Sequence, residues 1–383
     1  MTARSAPTDH PPTPAHDHPA RGAVGHPAGT RATPDATRRL TGTALITSAV
    51  TTTLVGFFAA APDLNPFLAE GNALGRALLP GPVLTWTLLA VALLGLATAT
   101  AALLRPRSGD AGRLVAPVAA LQVVAFGFLA QGAQTLSAAG YLMSLAVPVL
   151  VVWMAVQVFR TRPGWRIPIA LGGVLAVVGI VVARDAFATQ LGGVMSGFAR
   201  ERWGLLGVVI PLATATAWAG LALLRAWRRG SLHRATAWVT RHRRLFTVLA
   251  ALGPLPYALA RLTWLTPWAM FGGEGVPLSV KIQGLALSSG AWLGFFLTLG
   301  LILPWGERFP RWFPRRAGQP VPPAAAIIPG GIVAVMLSGA AIPLLLMMGA
   351  SGAVLFPAWF WGPMLALAVW GYAGHRAGID VSR

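Results

Sequence analysis

Long apolar runs alternate with short polar connections rich in arginine along residues 40–374. A membrane-spanning helix needs about 20 mostly apolar residues. That ruler predicts ten spans, at 40–61, 82–104, 114–136, 138–159, 167–183, 204–224, 245–265, 280–303, 324–348 and 354–374. Only Leu136-Ser137-Ala138 separates the third from the fourth, so a tight turn is expected there, and the fifth is short. The predicted fold class is therefore all-α, a polytopic membrane helix bundle of about ten transmembrane helices. Residues 1–39 precede it as a Pro/His-rich cytoplasmic tail with seven prolines and no apolar period, a composition expected to be disordered. Residues 375–383 form a short cytoplasmic C-terminal tail. The polar stretch before the first span is too long for a secretory leader.

Composition excludes the ordinary soluble enzyme. Hydrophobic residues make up 55% of the 383, charged residues only 11%, against about 25% in a typical soluble domain. The net charge of +19 would point to nucleic acid in a soluble chain. Its placement gives another reading. With the N-terminus in the cytoplasm, the cytoplasmic segments hold 24 of the 30 Lys and Arg, and the outer loops and helix ends hold six: Arg76, Arg184, Arg200, Arg202, Arg261 and Lys281. This is the positive-inside pattern of a multi-pass protein of the inner (cytoplasmic) membrane with both termini inside. Trp86, Trp203, Trp264, Trp268, Trp359 and Trp361 fall at outer ends, and Trp165, Trp227, Trp305 and Trp312 at inner ends, as interfacial belts. The loop 225–244 carries seven arginines, and Leu232, Ala235, Trp238 and Val239 can share a helical face. It is expected to lie on the anionic inner leaflet as an amphipathic helix, without nucleic acid as a partner. Ten helices would also allow two halves of opposite orientation, 40–183 and 204–374, but no motif recurs between them.

The chemistry visible in the chain is sparse. There is no cysteine, so thiol catalysis, disulfides and Cys-ligated metals are excluded. His10, His16, His18 and His26, with Asp9 and Asp17, crowd the N-terminal tail without forming a closed ligand set, so no metal is assigned. No Walker, GxGxxG, HExxH or GxSxG motif occurs, and no cofactor is expected. Within the spans the polar residues are neutral: Gln122, Gln131, Gln134 and Gln157, read chiefly as interhelical hydrogen-bonding groups.

The seventh span holds the candidate site. Gly253, Pro254 and Pro256 interrupt it, and proline removes a backbone donor and clashes with the preceding turn, which predicts a helix break. Beyond the break, Tyr257, Arg261 and Trp264 recur on one helical face, and Lys281 opens the eighth span on the same side. Arg261 and Lys281 are expected to form an outward-facing anion site walled by Tyr257 and Trp264. Snorkelling to headgroups, or pairing with Glu274, is the plainer alternative. Asp63 follows the first span, where polyprenyl-phosphate glycosyltransferases carry a catalytic acid, yet Pro62-Asp63 also reads as a turn. No catalytic residue is assigned.

Residues 302–331, ILPWGERFPRWFPRRAGQPVPPAAAIIPGG, with PYALARLTW at 256–264, resemble segments of multi-pass integral membrane proteins of high-GC bacteria. The resemblance implies membrane topology and carries no activity. Architecture favours a secondary permease for a small solute, with an anion as the charge-matched choice. A membrane enzyme acting on a lipid-linked substrate and a non-catalytic scaffold or regulatory partner are the alternatives, and the oligomeric state is left open.

Overall fold

The computed structural model describes residues 34–69, 73–104, 109–182, 184–311, 313 and 316–379. The tail histidines, Glu70, Trp312, Pro314 and Arg315 lie outside the described residues. The fold is carried by helices α1 (Pro34–Ala60), α2 (Gly81–Leu104), α3 (Gly109–Val124), α4 (Ala133–Thr161), α5 (Arg166–Val182), α6 (Arg184–Arg228), α7 (His233–Arg241), α8 (Arg243–Leu252), α9 (Leu255–Leu262), α10 (Leu278–Leu299), α11 (Ala324–Leu355) and α12 (Ala358–Arg376). Among the described residues the only extended pairing is a single bridge between Arg308 and Pro320. Seven segments are long and apolar enough to cross a membrane: Ala36–Ala60, Gly81–Leu104, Pro163–Val182, Leu191–Arg228, Arg243–Leu265, Leu278–Leu299 and Ala324–Leu355.

Two local expectations need correction. The turn between the third and fourth runs is not at Leu136-Ser137-Ala138. Instead α3 loosens into a π-helical turn at Ala125–Leu129, the chain leaves the helix at Ala130, and α4 starts at Ala133. Gln131 explains the position. Its carbonyl accepts the Leu74 amide at 2.7 Å, and its side-chain nitrogen donates to the Phe126 carbonyl at 2.6 Å. These contacts satisfy polar groups that a continuous helix would have engaged. The second correction concerns residues 184–203, which the sequence reads as a connection with Arg184-Asp185 and Arg200-Glu201-Arg202 as helix-end ion pairs. They are helical and continue into α6. Arg184 and Asp185 do pair, at 3.7 Å, whereas Arg200 donates to Ser196 and Arg202 to the Ala199 carbonyl.

Helix packing groups the chain unevenly. In one group α1, α2, α3 and α6 surround Val55, Phe58, Leu84, Leu88, Phe126 and Trp218. In the other, α7, α8, α11 and α12 bury Phe246, Leu337, Leu344, Trp361, Leu365 and Tyr372, with α9 and α10 alongside. Helix α4 touches α6, α10 and α11 and so bridges the groups. Helix α5 buries no residue. The five-plus-five division is therefore not the grouping seen, because α6 packs with α1 and α3.

The first group is locked by polar contacts in an otherwise apolar core. Thr51 and Thr214 hydroxyls meet at 2.7 Å, the Trp218 indole donates to Ser48 at 3.0 Å, and the Gln122 amide donates to the Val91 carbonyl at 2.6 Å. Interhelical bonds of this kind contribute about 0.6 kcal/mol each in a bilayer. The threonines of α1 are tolerated in a helix because Thr41, Thr43, Thr47, Thr52 and Thr53 return their hydroxyls to carbonyls one turn back.

Candidate functional site

The break in the seventh span lies between Leu252, the last residue of α8, and Leu255, the first of α9. Pro254 caps α9 and Pro256 occupies its first turn, where a proline lacks nothing the helix needs. Gly253 has ordinary helical torsions, φ −53 and ψ −49. Its requirement is space: a Cβ there would collide with the Trp361 side chain of α12.

Beyond the break, α9 and the 3₁₀ turn Thr263–Leu265 present the candidate residues. The Arg261 guanidinium lies 3.9 Å from the centre of the Trp264 ring and 4.9 Å from that of Tyr257. Each is a cation–π contact of about 0.5–2 kcal/mol, rising as water is excluded. The Arg261 Nε is shielded from solvent and makes no hydrogen bond among the described residues. Trp264 is buried, donates its indole N–H to the Met270 carbonyl at 2.8 Å, and presses its ring on Gly273 and Gly284. It thereby pins the α9–α10 connection and serves as a rigid platform beneath the guanidinium. Tyr257 meets Phe356 edge-on at 5.8 Å, and Phe356 in turn meets Trp361 at 5.7 Å.

Lys281 is half-buried in the first turn of α10. It stands three residues before Gly284, on the α10 face that receives Trp264. Ser288, one turn further, donates to the Ala258 carbonyl at 3.3 Å, so the same face continues against α9. Both cations thus belong to one helix pair, with no hydrogen bond or ion pair joining them among the described residues. Glu274 is exposed and forms no ion pair with either among those residues.

Asp63 is exposed on the turn Pro62–Leu64. The ordering group of that loop is its neighbour Asn65, which donates to Thr85 at 2.9 Å and accepts the Phe67 amide at 2.9 Å. At the same end of the bundle, a cavity of about 380 Å³ lies between Ala73, Leu74, Arg76 and Ala77 on one side and Pro343, Leu346 and Met347 of α11 on the other. Sequence reasoning counted Arg76 only as one outer cation; its signal was the single basic residue of a loop that also carries Asp63 and Glu70.

A second cluster was also missed. Glu307 lies 3.0 Å from His375 Nε2 and 3.6 Å from Arg243 Nη1, while Tyr372 donates to the Gly306 carbonyl at 2.8 Å and Arg376 donates to the Tyr372 oxygen at 2.6 Å. These contacts fasten the 304–321 segment to α8 and α12. Its signal was the single acid among the arginines of residues 304–323. In the basic loop, α7 forms, but it turns Thr236, Val239 and Thr240 toward α12 and leaves Trp238 exposed.

Comparison with protein-family models, with curated proteins and with solved structures finds no match.

Proposed function

We propose that the chain is a ten-span protein of the bacterial inner membrane, with both termini in the cytoplasm, and that it acts as a permease for a small anionic solute. The observation that carries this reading is Arg261. A guanidinium held between two aromatic rings, with a shielded donor unused and no carboxylate on it among the described residues, calls for an anion. Lys281 supplies a second positive charge on the adjoining helix. Two helix groups joined through α4 give the kind of architecture in which one group can move against the other. The basic connections at 160–166, 225–244 and 304–323 favour the cytoplasmic side for that end, beside anionic headgroups.

The site is tested with purified protein in detergent, titrated with phosphate, sulfate and succinate while tryptophan emission and thermal midpoint are followed. At least one anion is expected to saturate the wild-type signal. Arg261→Gln is expected to weaken that response about tenfold, roughly 1.4 kcal/mol, and Arg261→Lys to weaken it less. An unchanged titration in both Arg261→Gln and Lys281→Gln removes the site.

The topology is tested separately. Because the chain lacks cysteine, single replacements report accessibility without background. Ser231→Cys and Ala377→Cys are expected to resist an impermeant maleimide in intact cells, and Thr266→Cys to react. Labelling of Ser231→Cys from outside would reverse the assigned sides.

A further inference from the structure

We propose that the cavity between residues 73–77 and α11 seats the phosphate headgroup of a membrane lipid, with Arg76 as its cationic contact. The turn that carries Arg76 is fixed before any ligand arrives. The Leu74 amide donates to the Gln131 carbonyl at 2.7 Å, the Leu79 amide to the Gly75 carbonyl at 2.8 Å, and Arg76 Nη1 to the Leu79 carbonyl at 3.0 Å. That last bond holds one corner of the guanidinium and leaves Nε shielded from solvent without an acceptor among the described residues. An arginine fork with an unused, shielded donor suits a phosphate, whose oxygens accept two parallel N–H groups.

The opposite wall selects a lipid over a free anion. Pro343, Leu346 and Met347 offer no hydrogen-bonding side chain, and Leu346 and Met347 are 68% and 66% exposed. In a bilayer those side chains meet hydrocarbon. A free phosphate would find one cation and an apolar face, whereas a phospholipid satisfies both, its phosphate on Arg76 and its chains along α11. The cavity also lies where the α1–α2 connection meets α11, so its occupant would sit at the junction of the two helix groups. This site is independent of the solute reading at Arg261.

Native mass spectrometry of the purified full chain tests the assignment, with phosphatidylglycerol or phosphate-free diacylglycerol added in detergent. Wild-type protein is expected to retain a phosphatidylglycerol adduct and no comparable diacylglycerol adduct. Arg76→Gln is expected to lower the retained fraction at least fivefold, and Arg76→Lys to lower it less. Met347→Glu leaves Arg76 in place and sets a carboxylate in the cavity wall, so it is expected to match Arg76→Gln; it decides the matter if Arg76→Gln does not fold. Arg200→Gln, at an exposed position on α6, is expected to behave as wild type. Wild-type retention in Met347→Glu or in folded Arg76→Gln overturns the proposal, as does equal retention of diacylglycerol. Displacement of the lipid by millimolar inorganic phosphate, with phosphate then retained, would make the occupant a free anion and overturn the lipid assignment.

Discussion

Gly253→Val is expected to destabilise the protein by about 3 kcal/mol, the upper part of the range for forcing volume into a packed core. Its thermal midpoint in detergent should fall accordingly. The glycine has helical torsions, so the cost does not come from backbone strain. It comes from Trp361, whose Cβ, Cγ and Cδ1 crowd the place of the added carbon. Trp361 is 7% exposed and packs edge-on to Phe356, so its ring has little room to retreat. Gly253→Ala should cost roughly half as much, because one methyl meets the same ring. Trimming the obstacle provides the check: Gly253→Ala in a Trp361→Ala background, which removes the crowding Cγ and Cδ1, should cost at least about 1 kcal/mol less than in the wild type. Additive effects of the two changes would show that the contact does not set stability. Tyr257 touches Phe356 as well, so the valine should also disturb the aromatic support of Arg261.

Gln131→Leu is expected to cost a similar amount, about 3 kcal/mol, although leucine fills nearly the same volume. The wild-type side chain is fully buried. It donates to the Phe126 carbonyl and accepts from the Thr135 hydroxyl at 2.9 Å. Leucine would leave both groups shielded from water without these partners, and each such loss costs about 1–3 kcal/mol. The damage should reach Leu74, whose amide depends on the position of the Gln131 carbonyl. Gln134→Leu, at a half-buried position three residues on, is the comparison and should change the midpoint little. A Gln131→Leu protein that melts with wild type would mean that the break at 130–132 is held by packing alone.

The all-helical character was legible because the apolar runs are long, and seven segments of the chain are long and apolar enough to span a membrane. What escaped was the local chemistry inside those runs. The third run contains Gln131-Gly132, a turn signal, but the length ruler carried the span past it to 136. Residues 184–203 read as a connection because charges sit at both ends, yet a helix tolerates Arg184, Asp185, Arg200 and Arg202 on exposed faces, with Glu201 half-buried between the last two. Tryptophan position misled in two cases. Trp268 and Trp359 are exposed, as interfacial anchors require, whereas Trp264 and Trp361 are buried against glycines on neighbouring segments. Whether an indole meets a headgroup or a glycine depends on a partner outside its own run, Gly273 and Gly284 for Trp264 and Gly253 for Trp361, which a single-run reading does not contain. The same holds for Glu307: its ligands, Arg243 and His375, come from helices on either side of it in sequence.

The placement of α6 sets an order of assembly. Ser48 and Thr51 of α1 find their partners on α6, through Trp218 and Thr214, not on α2 or α3. Roughly 75 residues separate the end of α3 from the packed part of α6, about 4–15 s of synthesis at ordinary rates of elongation. During that interval α1 must rest in the bilayer with its hydroxyls turned onto its own backbone, while α4 and α5 enter ahead of the helix that completes the group. A chain stopped before the packed part of α6 would leave α1, α2 and α3 without the helix that meets Ser48 and Thr51, their polar seam open.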